Sequence, residues 1–152
     1  MLPKYEVKPR SGVGAVALGM SRPDVRARMP GEPVTFRKGS GGPDVDAWHE
    51  AGFQVFYSDD DTVEYIELNR GAVDAWFEGT AVFDVDADQL VEALRSRSPI
   101  DEDDAELGYS YVFPLWDLSL WRRCVPESPT DEEGRYFDTI GIGVPGYYGA
   151  AS

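Results

Sequence analysis

Two stretches of this chain, 65 residues apart, open helices in the same way. In the first, Ser21 stands at an N-cap position, Asp24 is its capping-box partner, and Met20 and Val25 are spaced as a hydrophobic staple. In the second, Asp86 is the cap, Gln89 closes the box, and Val85 and Leu90 form the staple. The offset, 86 − 21 = 65, also carries Gly14 onto Gly79, Leu18 onto Phe83, Met29 onto Leu94, Trp48 onto Phe113, Phe53 onto Leu118 and Val55 onto Leu120. A gapless offset joining start signals, core positions and a later strand predicts an internal duplication. A chain of 152 residues is one domain's worth. The expectation is therefore a single α+β domain over 1–152, with repeats at about 5–70 and 71–146. Each repeat is a helix plus an antiparallel sheet, and the two form one continuous sheet with both helices packed on one face.

Within that frame the strands follow from alternation and turn residues. Tyr5 to Val7, Val34 to Lys38, Ala72 to Phe77, Tyr109 to Phe113, Trp116 to Arg123 and Tyr136 to Val144 read as strands. Pro30-Gly31 stops the first helix, and the second ends near Pro99. The clearest hairpin is Phe53–Tyr57, a turn over Ser58–Asp61, and Thr62–Leu68. A two-residue turn at Asp59-Asp60 sets Phe53 opposite Ile66, Val55 opposite Glu64 and Tyr57 opposite Thr62. These residues, with Leu68, form the more apolar face and are expected to meet the helix. The other face carries Gln54, Phe56, Val63, Tyr65 and Glu67, joined in the second repeat by Trp121, Ser119 and Thr139.

The charge balance narrows the partners. Fourteen basic against 28 acidic residues leave a net charge of −14, which repels phosphate backbones and anionic bilayers. Neither nucleic-acid binding nor membrane association is expected. A hydrophobic content of 42% is that of a folded protein rather than a disordered acidic tail. The residues from Met1 to Lys8 contain no apolar leader core, and no later run approaches a membrane span, so a cytoplasmic location is expected.

Catalytic and metal-binding patterns fail one by one. His49 is the single histidine and Cys124 the single cysteine, which removes paired-histidine metal sites, thiolate clusters and an internal disulfide. Cys-His chemistry would require those two residues to meet in space. Gly12-x-Gly14 has Ala17 where a dinucleotide loop needs its third glycine. Asp84-x-Asp86-x-Asp88 imitates the start of a calcium loop, but Gln89 replaces the turn glycine and Arg95 the bidentate glutamate. Gly108-Tyr109-Ser110-Tyr111-Val112 lacks the second glycine of a nucleophile elbow. The chain is read as non-enzymatic, with no metal or cofactor.

What remains is the aromatic, acid-edged sheet face. Phe56, Tyr65, Glu67 and Trp121 are its candidate partner-binding residues, because large amphipathic side chains beside charge are the composition of a protein-binding surface.

The run Leu18-Gly19-Met20-Ser21-x-x-Asp24-Val25, followed by a strand pair ending Val63-Glu64-Tyr65-Ile66-Glu67-Leu68, resembles the repeat of the SmpA/BamE and β-lactamase-inhibitor-protein-like group. The resemblance covers residues 14–68 and reaches 79–144 through the internal repeat. It implies a helix on a small antiparallel sheet and a scaffolding or inhibitory role through the sheet's exposed face, without catalysis. The secreted and lipid-anchored members carry signal sequences, lipoboxes or disulfide cysteines that this chain lacks, so their particular partners are not implied. The expected function is an intracellular protein-binding module, of inhibitor or immunity type. Its rivals are a small-molecule binder or minor hydrolase with a pocket between helices and sheet, and a homodimer with no separate client.

Overall fold

A computed structural model describes residues 2–149. The chain opens with strand β1 (Lys4–Lys8), which turns back through the short β2 (Gly12–Val13) and β3 (Val16–Ala17) before helix α1 (Arg22–Arg28). Four strands follow: β4 (Val34–Arg37), β5 (Asp44–Trp48), β6 (Phe53–Tyr57) and β7 (Val63–Asn69). The hairpin β8 (Asp74–Phe77) and β9 (Thr80–Ala81) then leads into α2 (Ala87–Arg95). The meander β10 (Ser110–Phe113), β11 (Leu118–Trp121) and β12 (Thr139–Gly143) completes the fold.

Both helices start where the caps place them. The Ser21 hydroxyl accepts the Asp24 N–H at 3.3 Å, and the Asp86 carboxylate accepts the Asp88 and Gln89 N–H groups at 3.1 and 3.2 Å. They are nevertheless minor elements, of seven and nine residues.

The expected single sheet with helices on one face does not form. The strands divide into a seven-stranded sheet, β10-β11-β12-β7-β6-β5-β4, and a five-stranded sheet, β3-β2-β1-β8-β9. The physical reason lies at β7. Its two edges are taken by β6 and β12, so β8 has no free edge there and pairs in parallel with β1 instead. The meanders β5-β6-β7 and β10-β11-β12 thus meet antiparallel through their last strands. The small sheet and the helices share one apolar core with the inner face of the large sheet. Tyr5 meets Phe53 edge-on at 5.5 Å and Phe77 meets Trp116 at 5.1 Å, while Val25, Leu90, Val91 and Leu94 are the buried helix contributions.

The β6–β7 hairpin also departs from the expected register. Phe53 pairs with Leu68 and Val55 with Ile66, two residues along from the two-residue-turn pairing. The turn is longer because Ser58 N–H bonds the Thr62 carbonyl at 2.8 Å around Asp59–Asp61, with Asp61 left-handed at φ 62°. The register then slips between Phe56 and Tyr57, with Glu64 the unpaired residue. That bulge restores Ile66 and Leu68 to the inner face and turns Val63, expected outside, into the core.

Strand β5 has no strong signal in the sequence, since Asp44 and Asp46 are poor strand formers. It forms because Asp46, wholly buried, is fully partnered. Arg26 approaches both its oxygens at 2.8 Å, Thr35 donates at 2.6 Å, and the Tyr57 hydroxyl at 2.9 Å.

Candidate functional site

The outer face of the large sheet collects the four candidate residues, but not as one open surface. Across the middle strands it presents the row Ser119, Gly141, Glu67 and Gln54, and beside it the row Gly143, Tyr65 and Phe56. Phe56 and Tyr65 are 5% and 7% exposed, whereas Trp121 is 40% exposed.

The cover is the chain's own C-terminal segment. After β12, the Val144 N–H bonds the Glu64 carbonyl at 3.0 Å, and the chain turns back over the sheet. Tyr147 stacks on Tyr65 at 4.8 Å between ring centroids, filling the space that Gly143 leaves open. The Tyr148 hydroxyl donates to the Tyr65 hydroxyl at 2.9 Å, which in turn bonds Ser119 at 2.7 Å. Burial, together with the facing Tyr148, holds the Tyr65 phenol well above its ordinary pKa, and Tyr147 is pushed up to about 12, again mainly by burial. Phe56 completes the cluster edge-on to Tyr65, with the Lys38 ammonium 4.9 Å above its ring.

The segment is anchored from below by Asp117. This buried carboxylate accepts the N–H groups of Gly146 and Tyr148 at 3.1 and 3.3 Å and the Arg10 Nε at 3.1 Å. The covering segment was legible in one respect. Ile140-Gly141-Ile142-Gly143 places glycine at successive outward positions of a strand, which is where another part of the chain approaches closely. An added methyl at Gly141 would collide with the Tyr65 ring and hydroxyl. Gly141→Ala is therefore expected to destabilise by about 1–3 kcal/mol, the range of an overpacked core position. The loss should shrink when Tyr65→Ala is added, and a double-mutant cycle in denaturant checks it. Strict additivity would mean the two positions do not meet.

Trp121 lies beyond the cover, while Glu67 sits beside it, near enough for its charge to help raise the Tyr147 and Tyr148 phenols. Glu67 is half-buried, and that burial raises its pKa, with Lys38 near enough only to offset the shift in part. It joins none of the ion pairs formed by the described residues. Glu64, on the bulge, is also raised, by burial and by Asp59.

The other candidate chemistry stays dispersed. His49 is exposed in a single turn of 3-10 helix, and the Cys124 thiol has Glu133 at 4.0 Å as its hydrogen-bond partner. Among the described residues no group of three histidine, cysteine or acidic side chains is arranged to hold a metal. Asp86 acts as a helix cap and Asp61 pairs with Arg22. The space between helices and sheets is filled by the core, while cavities of about 530 and 500 Å³ open along the Cys124–Arg135 loop. No helix among the described residues is long and apolar enough to cross a membrane.

Comparison with protein-family models, with curated proteins and with solved structures finds no match to this chain.

Proposed function

We propose that the chain is a non-enzymatic binding module, of inhibitor or immunity type, that takes a basic segment of another protein across the outer face of its large sheet. The observation that supports this is Glu67. It is a carboxylate held partly out of water, with its pKa raised and no ion-pair partner of its own. A lysine or arginine from a partner would supply the missing counter-charge in a site already partly desolvated, where an ion pair gains more than on an open surface. Trp121 lies on the same face, two positions beyond Ser119, and offers the exposed aromatic anchor. The −14 net charge steers a basic partner towards the module.

Titration with lysine- and arginine-containing peptides, followed by calorimetry, tests the reading. Glu67→Gln and Trp121→Ser are each expected to weaken binding at least about tenfold, the scale of one central contact. Binding should also tighten as pH rises through the raised pKa of Glu67, because only the ionised carboxylate attracts the cation. Peptides that bind both variants as well as the parent would remove this face from consideration.

A further inference from the structure

The seven-stranded sheet ends at β4, whose outer edge is unpaired among the described residues. All four of its residues are exposed, with Val34 at 54% and Phe36 at 39%. The direction of its backbone groups follows from the hairpin with β5. The Lys38 N–H donates to the Pro43 carbonyl at 2.9 Å, and in the same register Phe36 lies opposite Val45 and Val34 opposite Ala47. Backbone groups alternate along an antiparallel strand. Those of Val34, Phe36 and Lys38 therefore bond β5, while those of Pro33, Thr35 and Arg37 point to the open edge. No other strand of the described residues pairs there.

The segment Glu32-Pro33-Val34-Thr35-Phe36-Arg37-Lys38 is complementary to itself when run antiparallel about Thr35. Thr35 then faces Thr35 and exchanges both backbone hydrogen bonds with it. Each Arg37 N–H reaches the opposite Pro33 carbonyl, and the missing proline N–H falls at the end of the ladder, where it is tolerated. Val34 faces Phe36 in the close, non-hydrogen-bonded position, a favourable β-branched–aromatic pair. Glu32 faces Lys38 on both sides of the axis. Shifting the centre to Phe36 would instead set Lys38 against Val34 and Glu32 against Ser40, losing both matches. The cation nearest the axis, Arg26, is already neutralised by Asp46.

The geometry points to β4 as the seam of a homodimer. Two copies of this chain pair their β4 strands across a two-fold axis at Thr35 and join their large sheets into one. The seam lies at the opposite edge of the sheet from β10 and leaves Glu67 and Trp121 uncovered.

Sedimentation of the full chain at near-physiological salt tests the seam, with charge reversals at the exposed Glu32 and Lys38. Because the Lys38 ammonium also sits over the Phe56 ring, its variant is read only with an unchanged unfolding midpoint, and Glu32→Lys carries the test alone otherwise. The parent is expected at twice the 16.8 kDa chain mass. Glu32→Lys or Lys38→Glu alone places like charges together at both symmetric positions and should weaken association about tenfold. The double reversal should recover it. A chain monomeric at roughly 100 μM, about a hundredfold above a micromolar Kd, would overturn the proposal. So would a dimer indifferent to the single reversals, or one that the double reversal fails to restore.

Discussion

Replacing Asp117 by alanine is expected to free the C-terminal segment from the sheet and to cost about 2–4 kcal/mol, the scale of losing a buried, multiply bonded carboxylate. Asp117 has no exposure, and three N–H donors from Arg10, Gly146 and Tyr148 converge on it. Its own backbone is left-handed, with φ at 48°, a conformation that aspartate and asparagine tolerate better than alanine. The variant therefore loses the acceptor and adds local strain. Denaturant unfolding measures the first effect. Amide exchange at Gly146 and Tyr148 reports the release, which should uncover Tyr65 and Phe56. Asp117→Asn keeps the backbone tolerance and one acceptor oxygen, so it should lose clearly less. An alanine variant as stable as the parent, with those amides still protected, would show that the segment does not rest on this carboxylate.

Asp46→Ala is the second large effect, at about 2–4 kcal/mol, because it strands the Tyr57 hydroxyl in the core. Tyr57 is 1% exposed and donates to Asp46 at 2.9 Å, whereas the 41%-exposed Arg26 side chain can turn to water. The ionic part of the loss is correspondingly discounted. The pH dependence follows from the same contacts. Burial pushes the Asp46 carboxyl up, but the hydrogen bonds from Arg26, Thr35 and Tyr57 outweigh it and hold the pKa below its ordinary value. A carboxyl with a depressed folded-state pKa contributes stability that is complete above its unfolded pKa, about 4. That stability is lost as pH falls through the lower folded value. Acid titration of stability should therefore be steeper below pH ~4 in the parent than in Asp46→Asn. Identical acid limbs would mean that Asp46 is not held ionised by these partners.

Particular residues show what pattern alone could reach. Ser21 and Asp86 announced their helices, since a cap bonds N–H groups two or three residues away and involves nothing distant. Of the inward set expected from alternation, Phe53, Val55, Tyr57, Ile66 and Leu68 reach the core, whereas Thr62 and Glu64 do not and Val63 does. The pairing register was not legible, because the Ser58–Thr62 turn and the Glu64 bulge shift pairing by amounts that alternation does not encode. Strand β5 was missed because its stability comes from Arg26 and Tyr57 closing on Asp46. At the candidate site, the sequence placed Phe56, Tyr65, Glu67 and Trp121 on one face, but could not show that Tyr147 and Tyr148 lie over the first two. Gly141 and Gly143 were its only hint of that cover.

The sequence by itself therefore determined where the helices begin, which residues of β6 and most of β7 seek the core, and a net charge of −14. These rest on local bonding and on the two- or 3.6-residue period of the backbone. Only the tertiary structure decided that the strands form two sheets, that the aromatic face is half covered, and that β4 is left as an edge. Each depends on which of several similar strand edges is already occupied, as β12 on β7 forces β8 onto β1. That competition is settled by the burial of the whole core, to which no single stretch of chain has access.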